Sequence, residues 1–358
     1  LPESRITARP TLAPDAGSAP TSPSGYPSSV PTGDDIPAIL AWCVEVGRTA
    51  PRVGDGSIAA VWELLAGAAH RNVATARVLE PHLDALGILA QTGTDLNSER
   101  DPWALRSLGV DDRSSWGVFA AEGPGMRVEA REDASGWTLD GTKPWCSLAA
   151  DVSHALVTAF VGDERRLFAV SLAAEGVSPH HGPWVARGLP GIVSAPVDFT
   201  RAAAVPVGDV GWYLRRPGFA WGGMSVAACW WGGAVGLRDA LAEAAAAEHA
   251  DQVAFVHLGR VDTALWAARA VLSEAADLVD RRADVDMRLL AERVRTITVD
   301  AATLTLAEAD AALGPRPLVA DEQYARRVAD LHLYLRQHHG LRDAARLGRL
   351  VLESEDAQ

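Results

Sequence analysis

Residues 136–149 read Gly136-Trp137-Thr138-Leu139-Asp140-Gly141-Thr142-Lys143-Pro144-Trp145-Cys146-Ser147-Leu148-Ala149. Trp137-Thr138-Leu139 alternates like a half-buried strand. Asp140-Gly141 is the strongest short hairpin signal, because a type I′ turn needs the positive φ that both residues tolerate. The segment then returns through Lys143, the only lysine in the chain, to Trp145-Cys146-Ser147. A tryptophan beside two small polar side chains at a strand end makes a flat platform edged with hydrogen-bonding groups, which suits a planar heterocycle. The same residues also read as an ordinary hairpin whose tryptophan fills a core.

Around this stretch the hydrophobic period is two. Trp116–Ala121, Arg127–Ala130, Ala155–Phe160, Leu167–Val170 and Val193–Phe199 all read as strands separated by Gly, Asp and Pro turns. On both sides the period becomes helical. Before it, Val61, Leu64, Leu65 and Ala68 share one face, and Val78, Leu79, Leu83, Leu86 and Leu89 share another, with Asp55-Gly56-Ser57 placed to open the first long helix. After it, Leu258, Val261, Leu265, Ala268, Leu272, Ala275 and Val279 step 3-4-3-4-3-4. Leu290, Val294, Ile297, Ala301 and Leu304 repeat the seam, as do Tyr324, Val328, Leu331 and Leu335. With a helix from about Ser225 to Glu248, these make a four-helix bundle. The fold class is therefore α+β and multidomain: an N-terminal helical domain (37–112), a central antiparallel β-sandwich or barrel (113–208) and a C-terminal four-helix bundle (209–358). Residues 1–36, rich in Pro, Ser and Thr, read as a disordered leader.

Composition narrows the function. At 358 residues two or three domains are expected, and 48% hydrophobic with 22% charged residues is ample for packed cores. A net charge of −13 without a Lys/Arg cluster argues against nucleic acid, whose phosphates need neutralising. No apolar run reaches membrane-spanning length, and no secretory signal opens the chain. Cys43, Cys146 and Cys229 are odd in number and far apart, which gives no disulfide framework or zinc spacing and fits a reducing cytoplasm. Glu80, His82 and Asp84 do not share one helical face, so they read as solvated charges or caps, and no metal site is expected.

Helices, a β unit, a bundle, and a Trp-Cys-Ser hairpin in the middle: from Ile36 to Gly348 the chain resembles the acyl-CoA dehydrogenase family. Residues 136–147 are similar to its aromatic-x-x-Asn-Gly-x-Lys-x-Trp-Ile-Thr hairpin. Gly232-Gly233-Ala234-Val235-Gly236-Leu237 resembles the small-residue segment of its first bundle helix, although close helix packing explains such residues equally well. The resemblance implies FAD as cofactor, with Trp145 lying on the isoalloxazine and the Cys146 backbone and Ser147 hydroxyl at its N5/O4 side. Ala120 and Ala121 would serve the pyrimidine ring through backbone groups, with Phe119 beside them among the cofactor-binding residues. A cleft between the β unit and the bundle is the expected place for flavin and substrate.

Departures from the family pattern bear on activity. The first flavin loop is shortened to Ala121-Glu122-Gly123-Pro124-Gly125. No Arg-x-x-x-Phe-Gly element, the family's grip on the ADP half, stands near Gln252–Gly259. Counting from Gly314, Asp330 and Tyr334 fall on family positions, but the catalytic glutamate position falls on His338 and the alternative base position near Val226. A histidine works as a base near neutral pH, so His338 is the catalytic candidate; it also continues the Leu331–Leu335 face and reads as a core or interface histidine. His339 and Arg336 read as surface groups at a helix end. The resemblance thus points to an FAD-dependent oxidoreductase acting on an acyl-CoA or related thioester, in the cytoplasm, as a homo-oligomer or paired with a homologue. A flavin monooxygenase on the same fold and a non-catalytic subunit are the alternatives.

Overall fold

The computed structural model describes residues 29–92 and 105–356. Most of the expected leader therefore lies outside the described residues. The chain packs as two compact units, Pro27–Gly54 with Val78–Phe219, and Asp55–Arg77 with Ala220–Gln358.

The first unit holds helix α1 (Ile36–Thr49), most of α3 (Val73–Gln91) and all seven strands. These are β1 (Trp116–Phe119), β2 (Val128–Asp133), β3 (Gly136–Ser147), β4 (His154–Val161), β5 (Glu164–Ser171), β6 (Val177–Pro179) and β7 (Ser194–Val207). They form one sheet in the order β1-β4-β2-β3-β7-β5, closed into a barrel by pairing of β5 with β4 and with β6 added beside β7. Pairing is antiparallel except on one edge of β4, where β1 and then β2 run parallel to it. The core joins both element types: Trp116, Leu156, Leu167, Ala169 and Val207 from strands pack with Ala85, Ile88 and Leu89 of α3.

Asp140-Gly141 does not turn the chain. The hairpin lies earlier, where Asp133 pairs with Gly136 around Ala134-Ser135 and the Asp133 carboxylate accepts from the Ser135 amide at 2.7 Å. β3 runs unbroken through Asp140-Gly141, which sits opposite a bulge of β7. Asp140 Oδ1 accepts from the Arg201 amide at 2.9 Å there. Gly141 has φ +118°, and a side chain would collide with the carbonyl oxygen of Arg127, just before β2. The positive φ that the sequence advertises is real, and is spent on a close crossing of strands instead.

The second unit holds α2 (Ile58–Arg71), then most of α4 (Gly218–Ala245), α5 (Gln252–Asp280), α6 (Met287–Leu313), α7 (Glu322–Tyr334) and α8 (Leu341–Asp356). Aspartate caps start three of them: Asp251, Asp286 and Asp321 each accept from amides of the first turn. Ser57 occupies the N-cap of α2, but the amides of Ile58 and Ala59 donate to the Asp280 carboxylate, and Ser57 bonds Asp55. The α5 seam is buried from Val261 to Val279 as its spacing predicts. On α6 the buried face is turned, running through Val294, Thr298, Ala301 and Thr305, and Ile297 is exposed. Gly232 brings α4 so close to α2 that a side chain would meet the Ala66 carbonyl. The small-residue segment therefore has a packing role. No described helix is long and apolar enough to cross a membrane.

Candidate functional site

The C-terminal half of β3 breaks its ladder with β7. Lys143 pairs with Val197 and Cys146 with Ala195, so Pro144 and Trp145 together oppose Pro196. Neither proline has an N–H to give, so a bulge costs the ladder little at this point. The bulge puts Trp145 in the left-handed region, φ +59°, and leaves it 65% exposed. A bulky aromatic side chain in that conformation is a backbone outlier, and such strain persists only where neighbours over-determine it.

Those neighbours are well defined. Lys143, 1% exposed, donates from Nζ to Glu122 Oε1 at 2.9 Å and to Thr158 Oγ1 at 2.8 Å. Burial pushes its ammonium below the ordinary lysine value, and the Glu122 carboxylate pulls the other way. Arg165 lies 3.6 Å from the same Glu122 oxygen. One buried amine thus ties the loop after β1 to β3 and β4. Gly123 packs against the Pro144 ring, and Pro124-Gly125 turns the loop back, with Gly125 at φ +73° and Met126 N donating to Gly123 O. That tight turn is what the shortened loop becomes. Ala120 and Ala121, half-buried, sit just before it, whereas the Phe119 ring is buried over Gly117.

Cys146 is also buried. Its thiol donates to the Lys143 carbonyl at 3.3 Å, and burial pushes its pKa up to about 12, so only its backbone can serve a ligand. Ser147 is half-buried, with its hydroxyl 2.7 Å from that of Ser194 on β7. Trp145, Cys146 and Ser147 thus end β3 beside the loop after β1, which Lys143 and Glu122 tie to that strand, and Ala120 and Ala121 open the same loop. The sequence marked Lys143 as unusual, but nothing local paired it with Glu122.

His338 belongs to the other unit. It is not on α7, which ends at Tyr334. A 3-10 turn over Leu335–Gln337 follows, and His338 lies in the bend before α8. The bend carries it off the Leu331–Leu335 face, although its side chain is still buried. Its Nδ1 accepts from the Gly340 amide at 3.2 Å, and its Nε2 faces Asp343 Oδ2 at 3.8 Å. The Trp230 ring meets it edge-on at 6.4 Å, and the Arg295 guanidinium lies over that ring while donating to the Gly223 and Gln337 carbonyls. Burial lowers the His338 pKa; Asp343 opposes the shift and Arg295 adds to it. Trp230, Arg295 and Asp343 were not marked by sequence, because their partners come from separate helices. His339 is exposed, as expected.

Glu80 and His82 are buried and Asp84 is half-buried, rather than solvated. Asp84 lies 3.5 Å from Arg216, and burial lowers His82 to about 4. Among the described residues no group of three or more His, Cys, Asp or Glu is arranged for a metal ion. A groove of about 490 Å³ runs along α1, lined by Leu40, Val44, Arg48, Arg113 and Asp151, and neither Trp145 nor Ser147 lines it.

Solved structures share this architecture over most of the chain. Butyryl-CoA dehydrogenase from Megasphaera elsdenii superposes with TM-score 0.72 over 88% of this chain and 89% of its own, at 15% identity. The chain has the acyl-CoA dehydrogenase fold. The same fold, at TM-score 0.69, 18% identity and 90% of this chain against 91% of the other, is seen in KijD3 bound to FMN and a dTDP-amino-keto sugar. Dibenzothiophene monooxygenase (TdsC) from Paenibacillus sp. A11-2 matches with TM-score 0.65 and 19% identity over 82% of this chain and 83% of that one. No family model matches the sequence, and no curated protein matches it. The acyl-CoA dehydrogenase fold is therefore shown by shape at identities where sequence comparison is silent.

Proposed function

We propose that the chain is a flavin-dependent oxidoreductase that uses Trp145 as the wall for the isoalloxazine ring. The observation carrying this reading is the indole itself, 65% exposed on a left-handed backbone. Strain of that kind clusters at ligand sites, and an indole face is a natural platform for a flat heterocycle. The residues present fit the ring half of a flavin: an exposed indole, the half-buried Ala120 and Ala121, and the Ser147 hydroxyl. When bound, the flavin supplies the two-electron chemistry, and the protein binds and orients it. The missing Arg-x-x-x-Phe-Gly element favours FMN over the FAD that the resemblance implies, and KijD3 and TdsC are both seen with FMN.

Oxygen-using chemistry, as in a monooxygenase, fits the site better than acyl-thioester dehydrogenation. The latter needs a base, and with Nδ1 of His338 accepting from Gly340 the neutral ring carries its proton on Nε2, leaving no ring nitrogen to take another. Acyl-CoA dehydrogenation is the second reading, favoured by the likeness to butyryl-CoA dehydrogenase, and requires His338 to release Gly340. Phe255, Val256 and Trp266, all exposed on α5, support association between copies or with a homologue.

The test is titration of the purified protein with FMN and with FAD, followed by anaerobic reduction. We expect an FMN absorbance band that is bleached by an NADH-dependent reductase and not by acyl-CoA, and that returns with oxygen. Bleaching by acyl-CoA would establish the second reading. No binding of either flavin would refute both and leave a non-catalytic subunit.

A further inference from the structure

Half-buried and buried residues alternate along β7 from Ser194 to Phe199, which puts Pro196 and Asp198 on the outer side of the barrel. Trp145 opposes Pro196 from β3 at the bulge. His180, just past β6, opposes it from the other side, its amide donating to the Pro196 carbonyl at 2.9 Å. Two strand spacings, about 10 Å, thus separate the backbones of Trp145 and His180. The His180 side chain is on the outer side too, with Nε2 2.7 Å from Asp198 Oδ2. Thr142, opposite Asp198 on β3, donates to the other carboxylate oxygen at 2.6 Å. The Thr142 bond and then the His180 bond hold the Asp198 carboxyl below the usual carboxylate range, so it is ionised and only accepts. The proton of the neutral His180 ring is therefore on Nε2, and Nδ1 keeps its lone pair, with no partner among the described residues. His338, whose Nδ1 already accepts from Gly340, has no such lone pair.

We propose that His180 is the proton acceptor for a substrate lying against the flavin, taking the proton from an O–H or N–H of its reacting group, with Asp198 as the positioning residue that aims the ring. This rests on the flavin reading above. In the step the proton passes to Nδ1, and the electron pair of the broken bond stays on the substrate heteroatom, which becomes the more electron-rich partner for oxygen. The Asp198 carboxylate stabilises the imidazolium without taking the proton itself. The imidazolium then returns the proton to water, to which its side chain is 44% exposed. His181, the next titratable residue, exerts its charge on Asp151 instead. Transfer between heteroatoms tolerates so open a position, whereas removing a proton from the α-carbon of a thioester calls for a base desolvated in a closed pocket. Acyl-CoA dehydrogenation therefore gains nothing from His180.

The experiment adds 4-nitrophenol, a flat acid whose ionised form is coloured, to flavin-loaded wild type, His180→Gln and Asp198→Asn at a pH below the probe's own pKa, and reads its ionisation by difference spectra. We expect the probe to be bound ionised by the wild type. The ratio of ionised to neutral bound probe should fall at least about tenfold in His180→Gln, which loses the acceptor. Asp198→Asn should lose as much although its imidazole remains, because an amide that donates to Nε2 moves the ring proton to Nδ1. Nitrogen NMR of histidine-labelled, flavin-free protein reads that tautomer directly, with the proton on Nε2 in the wild type and on Nδ1 in Asp198→Asn. A wild-type probe that stays neutral, equal ionisation in His180→Gln, or a wild-type ring with its proton on Nδ1 overturns the proposal and leaves the flavin reading intact. A pair that only braced β6 against β7 would lower the melting temperature of both variants and leave the probe's ionisation unchanged, which also overturns it. Wild-type protein that binds no flavin would overturn the flavin reading itself.

Discussion

Replacing Trp145 with glycine separates the wall from the core. The indole is 65% exposed, so about a third of it is covered. A third of a large aromatic surface is about 80 Å², or about 2 kcal/mol at the usual coefficient. Glycine forfeits that contact but removes the left-handed penalty, about 1–2 kcal/mol for an L-residue. It then costs about 0.5–1 kcal/mol through the freedom of the unfolded chain. The net loss is about 1 kcal/mol. Alanine forfeits the same contact and keeps the penalty, so Trp145→Ala should lose about 2 kcal/mol and be less stable than Trp145→Gly. That order reverses the usual preference for alanine. Flavin affinity should fall in both variants by about 1–3 kcal/mol, the worth of one aromatic platform under a flat heterocycle. Urea unfolding of the flavin-free proteins and a fluorescence titration read the two quantities, with Trp230→Ala as a buried control expected to lose about 3–5 kcal/mol. If Trp145→Gly lost as much as that control, the indole would be core. An alanine variant more stable than the glycine variant would contradict the left-handed backbone, and unchanged flavin affinity would sink the wall.

Two further predictions concern titration. Burial lowers the Lys143 pKa from 10.5, with Glu122 opposing, so between the lowered value and 10.5 the unfolded chain binds more protons than the folded one. Wild-type stability should therefore gain on Lys143→Met as pH rises through that window; urea midpoints measured up to pH 10.5 that drift the other way would refute the burial of this amine. In the bend before α8, burial lowers His338 from 6.5, while Asp343 is held below 3.8 because the His339 amide, Arg346 and the two histidines outweigh its burial. Both groups contribute stability at neutral pH that is lost on acidification, first below about 6.5 as His338 must charge and then below about 3.8 as Asp343 must neutralise. His338→Gln should abolish the upper step of the acid melting curve and keep the lower one, and a curve with its upper step intact would show that another group titrates there.

The three-part architecture was legible because hydrophobic period is a local property, two in residues 116–199 and helical on both sides. The candidate site was legible as a stretch for a similar reason: Trp145, Cys146 and Ser147 are consecutive. What failed was pairing. Asp140-Gly141 announces a positive φ, and Gly141 adopts one, but the sequence does not say whether that angle serves a turn or a bulge. Only the register against β7 decides. Asp84 looked solvated because Arg216, the partner that lets it be half-buried, lies 132 residues away. His338 was placed on a helix because the apolar spacing continues to Leu335, with no proline or glycine to stop it before Gly340. Backbone termination by a 3-10 turn leaves no such mark.

The non-catalytic reading has to explain why the fold holds a tryptophan against solvent. Pro144 is wedged on Gly123, Lys143 is buried to reach Glu122 and Thr158, and Cys146 is sealed behind the bulge. Each anchor fixes a neighbour of Trp145, and none of them covers the indole. The desolvated ammonium and the left-handed tryptophan are both unfavourable by themselves, so this corner of the barrel is less stable than a regular ladder with an apolar residue in place of Lys143 would be. A surface that only docked a partner subunit would gain nothing from fixing the plane of one side chain so rigidly. A ring that must lie flat at a set distance from a hydroxyl needs that rigidity, because a wall free to turn would lose the geometry on which hydrogen bonding to the ring edge depends. The energy stored around Trp145 therefore favours a bound heterocycle over a bare interface.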